Sequence, residues 1–329
     1  MRVEKYTDER KIEWDDFVLN KACNGTFLQT RRFINYHPVG KFEDASCMIY
    51  DSKNRLVAVC LGCKREGESG SEMISHAGTT YGGVLVDKGF YQVGKVIEII
   101  QSLETFWREQ KFSRAVLRQT PSLFAQKKVD LIKYVYYYLG WSSYDELNLY
   151  VDLDCQSEDV LSTFARGKRT KVHNCIKRGL TCKKLTEYGQ IEQLIELLSI
   201  TLRKYDKEPI HTPKEIYEFI TIRLTEECEC FGIYDADKMV AASMMFYFNN
   251  VGVAHTQYLC ADPEYSKLSP MTFLYYSMMM MAKERGFHKI SWGICTEKLG
   301  KYLNEGLAKS KEGFGSRHEI NYTFEKNLQ

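Results

Sequence analysis

Apolar residues recur at helical spacing from Tyr91 to Gln110, through Val93, Val96, Ile97, Ile100, Leu103 and Trp107. That spacing predicts an amphipathic helix with its apolar stripe turned to a core. The strand Arg114 to Arg118 follows, then a helix over Leu123 to Leu139 ended by Gly140, a residue suited to a left-handed terminator. Upstream, two short helices are expected, one from Trp14 to Leu19 and one around Arg31 to Tyr36. Ser46 to Tyr50 and Leu56 to Cys63 are β-rich runs separated by the turn Asp51-Ser52-Lys53-Asn54, which predicts a hairpin. A charged loop, Lys64 to Gly70, and a strand through Ile74 and His76 come next.

Asn148 to Leu153 reads as a strand that leads into the second half. There, Ser157 with Glu158 and Asp159 in the first turn predicts a helix reaching Arg178 and stopping at Gly179. Helices are expected over Gln190 to Lys204 and Lys214 to Leu224, a strand over Val253 to Cys260, a helix opened by Ser269-Pro270, and a strand over Lys289 to Gly293.

The pattern occurs twice. Ile49-Tyr50-Asp51, a turn and Leu56-Val57-Ala58 match Ile233-Tyr234-Asp235, a turn and Met239-Val240-Ala241. His76 to Tyr81 answers Ala254 to Tyr258, and Glu109 to Leu117 answers Glu284 to Trp292. The order and spacing of the three matches predict an internal duplication. The fold class is therefore α/β (α+β), with two tandem domains, each a mixed sheet flanked by helices. Residues 1–150 form the first, with the C-terminal strand 316–329 as a candidate to complete it, and residues 151–315 form the second. A ligand cleft is expected between them.

At 329 residues and 44% apolar composition the chain can build two ordinary cores. A net charge of +2 argues against a dedicated nucleic-acid binder. Eleven cysteines and an N-terminus without an apolar run point to a reducing, cytoplasmic setting. The run Met271 to Ala282 is too short for a membrane span. Cys60-x-x-Cys63 lies within a strand, which sends the two thiols to opposite faces, so no metal site is expected.

Candidate chemistry gathers in the second half. A strand running into the helix opened by Ser269-Pro270-Met271, with Ser269 as N-cap, offers backbone N–H groups to an acyl carbonyl or a phosphate. Tyr258 ends the preceding strand, where its phenol can donate to a leaving oxygen or simply pack, as its counterpart Tyr81 suggests. His255 reads as a core histidine. Lys168, Arg169 and Lys171 lie in a basic run that is either an anion-binding face or a solvated one. Tyr81-Gly82-Gly83 is a turn that either admits a ligand or only reverses the chain.

Several stretches carry a family resemblance across the whole chain. They are Phe27-Leu28-Gln29-Thr30, the basic segment Phe164 to Leu180, the Pro270 helix ending at Gly286-Phe287, and the closing Gly306-Leu307…Lys311-Glu312-Gly313-Phe314-Gly315. Together they resemble the paired acetyltransferase-like domains of Fem-type peptidyltransferases, within the GNAT superfamily. The resemblance implies two tandem GNAT-like domains and transfer of an acyl or aminoacyl group to an amine of a cell-envelope (peptidoglycan) precursor or nucleotide-linked acceptor. It implies Lys311 as the catalytic cation, the alternative being a solvated lysine; Tyr258 would assist. Ser269, Pro270 and Met271 would hold the donor. Lys168, Arg169 and Lys171 would grip the acceptor's phosphates, and Tyr81 and Gly82 would line the cleft. Two departures stand out. Ser310 replaces the family's aromatic, and Tyr265 to Pro270 replaces the glycine-rich pyrophosphate loop of CoA-using members. The donor thus stays open between acyl-CoA and aminoacyl-tRNA, with tRNA a candidate partner. A non-catalytic binding module that keeps the fold and cleft is the alternative function.

Overall fold

The computed structural model describes residues 1–68, 70–154, 159–204 and 206–329. Its strands and helices in chain order are β1 (Arg2–Lys5), α1 (Lys11–Asp16), α2 (Arg31–Ile34), β2 (Glu43–Asp44), β3 (Cys47–Tyr50), β4 (Leu56–Gly67), β5 (Gly70–Ser75), β6 (Gly83–Val86), α3 (Val93–Glu109), β7 (Arg114–Arg118), α4 (Asp130–Tyr138) and β8 (Ser142–Asp152). They continue with α5 (Arg166–Arg178), β9 (Thr181–Leu185), α6 (Tyr188–Arg203), α7 (Pro213–Glu218), β10 (Cys228–Asp235), β11 (Lys238–Phe248), β12 (Val253–Ala261), α8 (Pro270–Glu284), β13 (Lys289–Ile294), β14 (Thr296–Glu297), β15 (Tyr302–Leu303), α9 (Glu305–Glu312) and β16 (Arg317–Asn327). Two compact units result: residues 1–146 with 320–329, and residues 147–319.

In the first unit the strands run β1-β3-β4-β5-β7-β16, antiparallel except for the parallel pair β5 and β7. Val96, Ile100, Leu103 and Trp107 of α3 and Ile132 and Tyr136 of α4 pack on Ala58, Cys60, Met73, Ala115 and Leu117. The apolar stripe read from the sequence is thus the face that α3 buries.

In the second unit the strands run β9-β10-β11-β12-β13-β8, again antiparallel except for one parallel pair, β12 and β13. Strand order and sense are the same in the two sheets. Helices α5 and α8 bury Val172, Cys175, Phe273, Leu274, Met278 and Met279 against Ile233, Val240, Met245, Ala254 and Ile290. Among the described residues no helix is long and apolar enough to cross a membrane.

Several expected elements are displaced, each for a local reason. Of the expected loop Lys64 to Gly70, Lys64 to Gly67 instead continue β4, because Arg65 opposes Glu72 on β5 and pairs with it. The following strand stops at Ser75, so residues 76–81 leave the sheet and are not the counterparts of 254–258. By pairing, Ile74 opposite Val116 occupies the place that His255 opposite Ser291 holds in the second unit.

The helix expected from Leu123 starts only at Asp130, after a short 3-10 turn at Ser122–Phe124. The helix expected from Ser157 is likewise broken. Ser157 and Glu158 lie outside the described residues, Asp159 caps a 3-10 turn at Val160–Thr163, and Phe164 and Ala165 are extended before α5 begins. The extended pair lets Phe164 turn inward before α5 begins.

Candidate active site

Strands β12 and β13 are paired over three residues only: Val253 with Lys289, Ala254 with Ile290 and His255 with Ser291. Beyond that point β12 follows β11 through a bulge at Gln257, while β13 follows β8. The two strands therefore diverge and leave backbone groups without ladder partners. Gly293, at φ +77°, sits on β13 at this divergence, where a Cβ would lie 3.7 Å from His255 Cε1.

Lys311 fills the end of the gap. It occupies the last turn of α9. Asn304 starts that helix by accepting the Leu307 N–H at 3.0 Å. Phe314 anchors its far end: the ring stacks on Tyr275 at 4.4 Å and meets Phe164 edge-on at 5.1 Å. The Lys311 side chain is 4% exposed, which rules out the solvated alternative. Its Nζ donates to the Gly293 carbonyl at 3.0 Å and the Ile294 carbonyl at 2.8 Å. An ammonium has three donors, so one is left without a protein acceptor among the described residues.

Burial lowers the Lys311 pKa to about 8, with the Cys295 thiol opposing the shift slightly. His255 is held at about 4, first by burial and then by the Lys311 charge, so it is neutral at pH 7. The lysine shift has a stability consequence. The folded pKa lies below the unfolded value of 10.5, so the unfolded chain binds more protons between about pH 8 and 10.5, and stability rises with pH across that window. At about 1.4 kcal/mol per pH unit the fall is worth roughly 3 kcal/mol. Denaturant unfolding of wild type and Lys311→Met at pH 7 and pH 11 will show the difference moving in favour of wild type by roughly that amount. A pH-independent difference would contradict a buried, titrating Lys311.

Lys168 joins this assembly from α5. It is half-buried, lies 4.3 Å from the Phe314 ring centre, and donates to the Ser310 hydroxyl at 3.0 Å. The serine that departs from the family pattern is thus the acceptor for the basic helix. Burial, helped by Lys171, lowers the Lys168 pKa to about 8. Arg169 is half-buried and Lys171 exposed on the same helix.

Tyr258 is placed differently. Its hydroxyl meets His211 Nδ1 at 2.5 Å, and burial raises the phenol pKa, so the hydroxyl keeps its proton at neutral pH. His211, 47 residues upstream in a proline-flanked loop, carried no sequence signal. In the first unit Tyr81 is buried against Phe124, at 5.5 Å between rings, and a Cβ on Gly82 would come within 2.7 Å of the Ser75 hydroxyl. The close approach that this glycine permits is therefore one of protein to protein.

The α8 N-terminus also departs from expectation. Ser269 adopts the left-handed conformation (φ 57°, ψ 44°) and makes no side-chain cap. A left-handed residue aims its hydroxyl away from the first-turn amides, whereas an N-cap serine is extended. Its carbonyl instead accepts the Thr272 N–H at 2.9 Å, and Pro270 has no N–H. Among the described residues Met271 alone keeps a free first-turn amide, which is not a cradle for a diphosphate.

Residues 166–302 match the family model of the acetyltransferase (GNAT) domain. The class is thereby defined: a tandem GNAT fold, with the Fem-type resemblance holding at the level of fold. FemX superposes with a TM-score of 0.71 at 14% identity, over 99% of this chain and 97% of that one. L-PGS from Bacillus licheniformis gives 0.62 at 12%, over 98% and 92%. A tandem GNAT protein from the clavulanic acid biosynthesis pathway gives 0.59 at 11%, over 100% of this chain and 99% of that one. No curated protein sequence matches the chain.

Proposed function

We propose that this protein is a cytoplasmic N-acyltransferase that moves an acyl or aminoacyl group onto a primary amine of a cell-envelope precursor or nucleotide-linked acceptor. The observation that carries this reading is the buried Lys311 ammonium, held by two carbonyls at the divergence of β12 and β13 with one donor to spare. The neutral amine attacks the donor carbonyl and forms the new C–N bond. The carbonyl oxygen becomes an oxyanion, which the free Lys311 N–H stabilises. Collapse expels the donor's thiolate or ribose oxygen, and the proton lost by the amine neutralises that leaving group.

Lys168, with Arg169 and Lys171 beside it, would draw an anionic acceptor toward α9. The Fem-type fold supports a peptidoglycan precursor as that acceptor. The common strand order of the two units supports an internal duplication.

The donor is tested by thermal shift. Acetyl-CoA and longer acyl-CoAs are to be compared with charged tRNA, whose stabilisation must fall steeply with salt. The donor that raises Tm is then assayed for transfer to amine acceptors. Saturable ligand binding without turnover by wild type would replace the enzyme reading with that of a binding module.

A further inference from the structure

The first unit's sheet carries charge on the face opposite its helix-packed core. Met73, Ala115 and Leu117 enter that core, so alternation places Glu72, Arg114 and Arg118 on the other face. Arg65 and Arg114 both pair with Glu72, and Arg114 also pairs with Glu325. Arg118 stands opposite Thr323 on β16 and has no carboxylate partner among the described residues.

A cavity of about 270 Å³ opens at this end of the row. Arg118, Arg65, His76, Thr79, Tyr144 and Thr323 line it, with no Asp or Glu in its wall among the described residues. The Gly78 N–H donates to His76 Nδ1 at 3.1 Å, so the neutral ring carries its proton on Nε2 as a further donor. Burial keeps this imidazole neutral at pH 7, with its pKa near 4. Ser75 holds the Arg118 backbone by accepting its N–H at 2.8 Å, which fixes where the side chain leaves the strand.

We propose that this cavity is an anion site, in which the Arg118 guanidinium grips the phosphate or carboxylate end of a small ligand. The wall supplies an unmatched guanidinium, a neutral N–H donor and several hydroxyls, and Glu72 already neutralises Arg65. The planar fork of arginine matches either oxyanion with two parallel bonds. The volume suits a phosphate or a short carboxylic acid rather than a whole nucleotide. This site lies in the unit that does not contain Lys311, so it stands apart from the acyl-transfer reading.

Calorimetric titration of the full chain with inorganic phosphate and, separately, with acetate tests the inference. One saturable site is expected, and the anion that fills it tells phosphoryl from carboxylate. Arg118→Gln should weaken binding about tenfold or more, and Arg118→Lys should restore part of it as a point charge. Lys311→Met should leave the binding unchanged. No saturable binding of either anion to wild type overturns the proposal, as does binding that survives Arg118→Gln or disappears with Lys311→Met. On unmutated protein, the bound anion should protect Arg118 from phenylglyoxal in peptide mapping, and equal modification with and without it is equally fatal.

Discussion

Replacing Lys311 with methionine will lower kcat/KM about 10²- to 10³-fold, the usual effect of removing one donor to a developing oxyanion. Far-UV circular dichroism and cooperative unfolding will be retained, since methionine fills most of the same volume without a charge to bury. The loss belongs in kcat, because the donor left free by Gly293 and Ile294 is engaged fully only once the carbonyl oxygen carries charge. The pH profile supplies the second signature. Activity rises as the acceptor amine loses its proton, then falls through about pH 8 as Lys311 loses its own. A methionine variant with wild-type kcat and an unchanged alkaline limb would remove Lys311 from the chemistry.

The second large effect is on stability. Phe314→Ala will cost about 4 kcal/mol, the middle of the range for deleting a buried aromatic. The ring is 1% exposed, stacks on Tyr275 and meets Phe164, so no neighbour collapses easily into the space it leaves. It also lies under the Lys168 ammonium and closes α9 just beyond Lys311. Urea unfolding will report the loss through the midpoint with an unchanged slope. A cost below about 1 kcal/mol would mean that the aromatic cluster does not anchor α9.

Lys168→Ala is expected to raise the KM of an anionic acceptor and to leave phosphate binding at Arg118 unchanged, and Arg118→Gln is expected to do the reverse. Measuring acceptor KM and phosphate affinity on both variants assigns each anion to its own unit.

Elements whose residues satisfy a local rule were readable from the chain alone. Helix α3 shows its buried stripe in the spacing of Val96, Ile100, Leu103 and Trp107, and it falls within two residues of the expected ends. Strand β7 coincides with Arg114 to Arg118. Pro270 marks the first turn of α8 because its missing N–H has no helical partner at that position. The misread segments are those where a distant partner overrules local character. Lys64 to Gly67 looks like a loop until Glu72 on the next strand is opposite Arg65.

Arg31 makes the same point in the first unit. Its setting, Gln29-Thr30-Arg31-Arg32, is polar, yet its side chain is 1% exposed, beneath the Tyr6 ring and paired with Asp44. Nothing in a stretch of polar residues says which one will be taken inside.

Amino-acid order by itself determined the two-fold α/β pattern, the helix and strand faces and the region of chain that holds the candidate chemistry, because apolar periodicity and turn residues act over a few positions. Only the tertiary structure decided that Lys311 is buried and meets the β13 carbonyls, that Tyr258 pairs with His211, and that Arg118 has no carboxylate partner among the described residues. Desolvation and pairing depend on which distant groups arrive at the same point in space, and spacing along the chain does not encode that meeting.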